Sequence, residues 1–243
     1  MAMKPFIRAM KYITSSFSLL FIIIFFSQCK KESTTTIIDP PVTVTKDYSP
    51  VTSGSTFTYS DSTNDLVTTF TMTASGTIST LFGKTYSKLT TSDGNTLYRT
   101  KSGAKYYQLT SFPAMRSNEF ENVYLNDSLP VNSTWTVSFK ILNVLGFPDS
   151  LTTVATYKIS EKGISRAIQG TLFTNVIHVS LTDVSAYSAV PPSGQLAAGI
   201  ASGDFYYALV VGLIQARFEV EDVPSFGISS YKSSQILTSY SIK

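Results

Sequence analysis

His178 is the single histidine of the chain, so it is the first residue to consider for acid–base or metal chemistry. In residues 175–181, Asn-Val-Ile-His-Val-Ser-Leu, it alternates with three apolar residues. This spacing places His178 on the opposite face of a strand from those residues. A Ser-His-Asp relay or a zinc site would need partners from elsewhere in the chain, and the sequence has no His or Cys cluster. The pattern favours a solvated or edge histidine and no metal site.

Paired carboxylates are the second candidate for chemistry. Glu119 and Glu121 form one pair, and Glu219 and Glu221, together with Asp222, form another set. Glycoside hydrolysis uses two carboxyl groups, but a spacing of two residues puts both on one strand face, where they usually solubilise an edge. The sequence has no phosphate loop, nucleophile elbow or calcium loop. We therefore predict a non-catalytic protein without a cofactor.

Aromatic residues in and beside predicted strands are the third candidate. If several line one concave face, their rings could stack on a sugar or hold an acyl chain; otherwise they are ordinary β-core. Each adjacent pair, Tyr106-Tyr107 and Tyr206-Tyr207, must place one ring on each face of the sheet. We predict a ligand site, gated by the Ala/Gly/Pro-rich segment 186–202, that includes Trp135, Phe139, Tyr157, Tyr106 and Tyr206.

Cys29 is the only cysteine, and it directly follows an apolar segment. Residues 1–11 are basic without an acid, and residues 17–26 are almost entirely apolar, which is the pattern of a signal peptide. The apolar run is too short to span a membrane, which needs about 20 residues. Ser-Gln-Cys at its end resembles a lipobox, in which the cysteine is acylated and becomes the first mature residue. We predict a signal peptide over residues 1–28 and a lipid anchor on Cys29.

Removal of the signal peptide changes the charge of the protein. The whole chain has 19 Lys plus Arg against 16 Asp plus Glu. Three of the positive residues belong to the signal, so the mature chain is close to neutral. It therefore lacks the excess of basic residues that nucleic-acid binding requires. Lys30 after the cysteine is not an inner-membrane retention signal, so the lipobox resemblance implies the outer membrane. Residues 30–32 lack a strong acidic run, which favours the periplasmic side over the cell surface.

The mature chain divides into a tether and one domain. Residues 29–47 combine the lipidated cysteine with a Ser/Thr-rich stretch containing Pro40-Pro41, typical of a flexible tether that reaches about 60 Å. Residues 48–243 are rich in Thr, Ser, Tyr, Phe, Val and Ile, the residues that suit a β-sheet. This length is enough for a single domain with its own core.

Period-two alternation indicates antiparallel strands with one buried face. Trp135, Val137, Phe139 and Ile141 alternate with polar residues, and the apolar face of a second strand is formed by Leu151, Thr153, Ala155, Tyr157 and Ile159. Turn signals follow at residues 92–95, 101–103 and 161–163. We predict an all-β antiparallel meander that forms a barrel or half-barrel.

The domain also shows signs of an internal duplication, with repeats over residues 48–125 and 126–243. Three pairs of segments recur in order, and each half should hold about five strands. They are Pro50-Val51 to Phe57 with Pro130-Val131 to Trp135, Gly76 and Gly83 with Gly163 and Gly170, and Gly103 to Tyr107 with Gly203 to Tyr207. The alternative is chance similarity within a biased composition.

Three stretches resemble uncharacterised envelope lipoproteins of Bacteroidota-type bacteria. Residues 48–59 resemble their Tyr-x-Pro opening, with Phe57 in place of the usual Trp, and residues 163–179 and 206–214 resemble their middle and a strand near their end. The resemblance implies a relationship to half-barrels of the lipoprotein-carrier type, which present an apolar concave face. It therefore implies a domain that binds a lipid or other hydrophobic ligand.

Two functions follow as expectations. The first is a membrane-anchored envelope lipoprotein whose non-catalytic β-domain binds an apolar or glycan ligand, which predicts a cavity. The alternative is a structural or protein-interaction lipoprotein, which predicts a solid interior and an exposed aromatic patch.

Overall fold

The computed structural model describes residues 36–37, 47–111, 115, 117–142, 151–188 and 194–243. The predicted signal peptide and Cys29 lie outside the described residues. Residues 35–243 form one compact unit. Its strands are β1 (Thr36–Ile37), β2 (Thr56–Thr63), β3 (Leu66–Leu81), β4 (Lys84–Thr91), β5 (Thr96–Ser102), β6 (Lys105–Thr110), β7 (Phe120–Asn126), β8 (Thr134–Ile141), β9 (Leu151–Ile168), β10 (Thr171–Ser188), β11 (Gly194–Ala197), β12 (Ala201–Ala208), β13 (Gly212–Val220) and β14 (Tyr231–Ser241).

The strands form one sheet that follows the chain almost without crossovers. Its order is β7-β6-β5-β4-β3-β2-β14-β13-β12-β10-β9-β8, with β1 and β11 pairing to β10 beside this path. All pairings among these strands are antiparallel except that of β1 with β10. The last strand, β14, pairs with the first long strand, β2, so the sheet curls into a nearly closed barrel. The prediction of an all-β antiparallel barrel is confirmed.

The two ends of the strand order, β7 and β8, face each other at an opening that we call the seam. Contacts across the seam come from both edges. The Trp135 indole Nε1 donates to the Val123 carbonyl at 2.7 Å, Ser117 forms an isolated bridge with Ile141, and the Asn118 amide donates to the Lys140 carbonyl at 3.1 Å. The two edge strands are therefore bonded to each other, which protects edges that would otherwise pair with other chains.

Strand alternation produces the buried face that the sequence predicts. Val137, Phe139 and Ile141 of β8 are buried, whereas Trp135 is half-buried at the start of the strand. The five residues predicted to share a face of β9 are all buried, including the polar Thr153. Inside the barrel the buried residues form two hydrophobic clusters, a larger one around β7–β10 and a smaller one around β2, β3 and β14.

The two halves of the barrel share local geometry at two glycine positions. Gly76 in β3 and Gly163 in β9 both have positive φ, 75° and 72°, and both lie at register shifts in their strand pairs. Two-residue turns with positive φ at both positions then follow, Phe82-Gly83 after β3 and Gln169-Gly170 after β9. Such turns match the twist of a hairpin. The predicted turn at residues 161–163 is thus wrong, because Gly163 forms a bulge inside a continuous strand.

Other predicted boundaries also need correction. Each half contributes six strands to the barrel rather than about five. Gly103 lies in the turn between β5 and β6, whereas Gly203 lies inside β12, so this third pair of segments is not equivalent in the fold. The duplication itself stays a prediction.

The tether and the loop predicted at 186–202 both contain strand residues. Thr36–Ile37 pairs in parallel with Thr171 and Leu172, so the segment 29–47 is not wholly unpaired. Residues 186–188 belong to β10 and pair with β11, because alternation persists through this Ala-rich stretch. Residues 189–193 lie outside the described part of the chain.

Within the described ranges, helical structure is limited to a short 3-10 turn, Pro224–Phe226, between β13 and β14 and to isolated turn residues. None of the helices in this part of the chain has the length and hydrophobicity required to cross a bilayer.

Candidate functional site

A partly enclosed cavity of about 230 Å³ lies inside the barrel, and we call it the interior cavity. Its wall includes residues from nine strands of both halves. A twelve-stranded barrel is wider than an eight-stranded one, whose side chains just fill the interior. Six aromatic rings contribute to the wall: Tyr59, Phe70, Tyr124, Tyr157, Phe205 and Tyr207.

The interior cavity lies where the two hydrophobic clusters meet. Tyr59 and Met72 belong to the smaller cluster, and Tyr157 and Tyr207 belong to the larger one. All four line the cavity. The barrel interior is therefore not solid, which is the condition that the ligand-binding prediction requires.

A row of polar side chains crosses one wall of the interior cavity. Arg99 of β5 is the direct neighbour of Gln108 in β6, and Gln108 is the neighbour of Asn122 in β7. The Arg99 Nε donates to the Gln108 Oε1 at 2.8 Å. Arg99 also lies 5.8 Å from the centre of the Tyr124 ring. This row places a half-buried guanidinium at the cavity wall.

The tyrosines of the wall stay neutral at physiological pH. Burial raises the pKa of Tyr59 and of Tyr157 to about 12, and it raises the pKa of Tyr207 well above its usual range. The positive charge of Arg99 lowers the pKa of Tyr59 and Tyr207, but this effect is smaller than burial. Arg99 is thus the one charged side chain in the described lining of the cavity.

Asn122 provides a second polar feature of the same wall. The residue is 8% exposed, and its side-chain amide interacts with the Tyr157 hydroxyl, but its Oδ1 has no hydrogen-bond partner among the described residues. A buried acceptor without a partner loses the hydrogen bond that it makes with water in the unfolded chain. The cavity thus combines one cation and one free acceptor with a mainly apolar surface.

Of the five residues predicted to bind a ligand, Tyr157 lines the interior cavity. Trp135 lies behind it, with the two rings stacked at 5.5 Å. Phe139 packs instead against Phe120, with ring centres 4.5 Å apart. Neither Trp135 nor Phe139 forms part of the described cavity wall.

The other two predicted residues are held elsewhere. Tyr106 is fully buried, and its hydroxyl donates to the Asp127 Oδ2 at 2.8 Å. Tyr206 lies on the opposite face of β12 from Tyr207 and stacks on His178. As predicted, each tyrosine pair places one ring on each face, since Tyr106 and Tyr207 are buried and their neighbours are half-buried.

Sequence reasoning missed Arg99, Gln108 and Asn122. The available signal was the alternation in β5, because Leu97 and Arg99 share a strand face and Leu97 is an apolar residue of the kind that faces a core. A cation at a position that the alternation assigns to the buried face indicates a charge inside the barrel. Because the strand is short and flanked by polar residues, the alternation is difficult to recognise in the sequence.

His178 lies on the outer face of the barrel in a cluster of polar residues. Its Nδ1 is 3.1 Å from the Glu161 Oε2, and its Nε2 is 2.6 Å from the Asp204 Oδ1. Its side chain is 13% exposed and stacks on Tyr206 at 4.2 Å, and the Arg166 guanidinium lies 3.5 Å from the centre of the Tyr206 ring. His178 is therefore a partnered residue rather than the solvated or edge histidine that the sequence favoured.

A serine completes a Ser-His-Glu set in this outer cluster, but its geometry is that of a hydrogen-bonded polar cluster. The Ser180 Oγ is 3.3 Å from the His178 Nε2, and it also donates to the Asp204 Oδ1 at 3.1 Å. Asp204 holds the shorter contact to Nε2, so the position that a nucleophile would need is occupied. Across the described ranges, no group of three or more acidic, His or Cys residues could hold a metal ion.

Comparisons with known proteins show only distant likenesses. No protein-family model matches the chain, and no curated protein sequence matches it. A proposed lipoprotein from Parabacteroides distasonis ATCC 8503 is similar in structure, with a TM-score of 0.47 and 12% identity over 82% of this chain and 100% of that one. A proposed exported protein with a YmcC-like fold from Bacteroides fragilis NCTC 9343 gives a TM-score of 0.38 and 10% identity over 79% and 97%. At TM-scores below 0.5, neither likeness carries an argument about this chain.

Proposed function

We propose that this chain is an envelope lipoprotein whose barrel binds an apolar ligand in the interior cavity. The observation that supports the proposal is the cavity itself, because natural barrels of this width either fill their interior or use it. Its volume lies between the roughly 150 Å³ of an engineered cavity that binds benzene and the roughly 300–1,000 Å³ of typical ligand sites. The cavity therefore suits a small ligand or one end of a longer one.

The anchor in this proposal is the lipid on Cys29. The basic, apolar and Ser-Gln-Cys segments follow the order of a lipoprotein signal. One acyl chain binds a membrane only marginally, so two or three chains on Cys29 are required for stable attachment. We place the protein at the outer membrane, on the periplasmic side.

Native mass spectrometry of the protein purified from a cell envelope tests the proposal. A Cys29→Ser version, secreted without lipid, serves as the matched control. We expect both forms to carry the same extra mass, which disappears on denaturation. A mass equal to the peptide plus acyl groups for the first form, and to the peptide alone for the second, would contradict ligand binding.

A structural or interaction role is the second candidate, and exposed apolar residues favour it. Leu66 and Val67 at the turn between β2 and β3 are 68% and 64% exposed, and Ile78 and Phe82 near the next turn are 67% and 62% exposed. Apolar residues at hairpin ends can serve as docking points. A photo-crosslinker placed at Val67 should then capture one defined partner in intact cells, and the same crosslinker at the exposed Thr77 should not. Equal labelling at both positions would exclude this role for the β2–β3 turn.

A further inference from the structure

The Arg99 guanidinium has unused hydrogen-bonding capacity in the interior cavity. Its Nε is bonded to Gln108, and the described residues provide no carboxylate within 4 Å and no other hydrogen-bond acceptor for its remaining N–H groups. Arg99 is half-buried, and a cation that is partly shielded from water without a counter-charge is destabilised. Asp61, the acid of β2, is two residues from Tyr59 and shares its strand face, but it is not part of the cavity wall and accepts a hydrogen bond from Thr63. The described wall of the interior cavity therefore contains no negative charge to balance that of Arg99.

The surroundings of Arg99 fix the direction in which this charge must lie. Gln108 accepts a hydrogen bond from the Nε of the guanidinium, and the two Nη groups have no hydrogen-bond partner among the described residues. The unpartnered Oδ1 of Asn122 belongs to the same polar row, one strand further along. Both features line the same cavity, and the wall around them is formed by apolar residues such as Phe70, Met72 and Leu97.

We infer that the ligand of the interior cavity is an apolar carboxylic acid whose carboxylate binds the free Nη groups of Arg99. The inference rests on the proposed function and names its ligand class. Two N–H groups of a guanidinium match the two oxygens of a carboxylate in a planar fork. The aromatic and aliphatic wall covers the apolar remainder of the acid, and a water or a hydroxyl of the ligand donates to Asn122.

Other ligand classes fit this cavity less well. A phosphate monoester carries up to two negative charges, and Arg99 is the only cation in the described wall. A glycan presents several hydroxyl groups, and the apolar part of the wall, with side chains such as Phe70, Met72 and Leu97, offers them no hydrogen-bond partner. A neutral apolar molecule would leave the charge of Arg99 unpaired. A single carboxylate on an apolar body matches both the charge and the wall.

Binding of octanoate and of the neutral octan-1-ol to the full Cys29→Ser chain tests the inference. The fluorescence of Trp135, the single tryptophan, reports binding because its ring stacks on Tyr157 of the cavity wall. Arg99→Met removes the charge and keeps a stem of about the same length as that of arginine up to Nε, whereas Arg99→Lys keeps the charge but loses the planar pair of N–H groups. Arg217→Met removes the same charge from an exposed position of β13 and is the matched control.

We expect the unmutated protein to bind octanoate at least about tenfold more tightly than octan-1-ol. Arg99→Met should weaken octanoate binding by about 10- to 100-fold and leave octan-1-ol binding nearly unchanged, since a hydrogen bond to a charged group is lost. The affinity of Arg99→Lys for octanoate should lie between that of the unmutated protein and that of Arg99→Met. The affinity of Arg217→Met should equal that of the unmutated protein.

Three results would overturn the inference. Equal affinities for the two probes would show that the cavity does not select a carboxylate. Octanoate binding that is unaffected by Arg99→Met in a folded variant would show that Arg99 does not bind the carboxylate. In both cases the proposed function would stand. Binding of neither probe would also overturn the inference. If native mass spectrometry then showed no bound mass, the proposed function itself would fail.

Discussion

The indole of Trp135 in β8 donates a hydrogen bond to the carbonyl of Val123 in β7 at 2.7 Å, across the seam of the sheet. The same ring stacks on Tyr157, which lines the interior cavity. One side chain thus joins the two edge strands and supports the cavity wall. The stability of the seam and the shape of the cavity are therefore coupled through Trp135.

Trp135→Phe should lower the free energy of unfolding by about 1–2 kcal/mol, because the seam loses a hydrogen bond while the stacking on Tyr157 is kept. For a domain of this size the melting temperature should fall by about 2–8 °C. Thermal unfolding followed by circular dichroism measures the change. Thr134→Ala, one residue earlier and exposed, is the control and should have little effect. A stability of Trp135→Phe equal to that of the control would show that the bond does not hold the seam.

Gly76 and Gly163 form a matched pair for testing the bulges of β3 and β9. An added Cβ at Gly163 would meet no atom within 4 Å, whereas at Gly76 it would lie 2.5 Å from the Ser53 Oγ. Gly163→Ala should therefore cost about 1–2 kcal/mol of stability from the left-handed backbone alone. Gly76→Ala should cost about 1–3 kcal/mol more, because Ser53 must move. Urea denaturation of both variants measures the difference.

Ser53→Gly provides the rescue for this pair. Combined with Gly76→Ala, it should remove most of the extra cost, whereas combined with Gly163→Ala it should change nothing beyond its own effect. Equal costs for the two alanine variants, or a failed rescue, would mean that the contact with Ser53 does not constrain the β3 bulge.

Alkaline pH should unfold the barrel through its buried tyrosines. In the unfolded chain these phenols ionise near pH 10, whereas burial raises the pKa of Tyr59 and Tyr157 to about 12. Between these values the unfolded state loses protons first, so stability is fully present below about pH 10 and falls as the pH rises towards 12. Each of the two tyrosines should contribute about 2–3 kcal/mol to this loss.

Urea denaturation at pH 8, 10 and 11.5, with tyrosine absorbance at 295 nm, checks this pH dependence. Tyr157→Phe removes one of the two groups and should reduce the loss between pH 10 and 11.5. An unchanged stability up to pH 11.5, or phenols that all titrate near 10 in the folded protein, would contradict the burial of these hydroxyls.

His178→Ala should destabilise the outer face of the barrel by about 1–2 kcal/mol, since it removes the contacts of the ring with the half-exposed carboxylates of Glu161 and Asp204 and the stacking on Tyr206. His178→Phe keeps a ring against Tyr206 and is the matched control for the stacking. Because salt screens exposed charges, the difference in stability between the His178→Phe variant and the unmutated protein should shrink at 1 M NaCl. A difference that is independent of salt would assign the role of His178 to its hydrogen bonds with Glu161 and Asp204 rather than to charge.

Much of the architecture follows from period-two alternation. Val137, Phe139 and Tyr157 are placed on the correct face because polar neighbours mark the wet side of each strand. The bulge at Gly163 was mistaken for a turn, because a glycine beside two charged residues has the same local signature in both settings. Only the pairing with the next strand distinguishes them.

The candidate site was less predictable than the fold. Tyr157 is predicted correctly because any large aromatic residue on the inner face is a candidate. The same criterion selects Phe139 and Tyr106, but Phe139 packs against Phe120 and the Tyr106 hydroxyl donates to Asp127. Whether an inward ring meets another ring or a void depends on the opposite wall of the barrel, which strand patterns do not encode. Arg99 was missed for the same reason, since its position on the cavity wall depends on the closure of the sheet.

The most direct test of ligand binding inside the barrel is to fill the cavity. Ala216 of β13 lines it, and Ala216→Phe would place a ring in the space that the ligand needs. Ala167→Phe adds the same ring at an exposed position of β9 as the control. In native mass spectra we expect the bound mass to persist in the control and to be lost from a folded Ala216→Phe variant. The same bound mass on both variants would contradict a ligand site in the interior cavity.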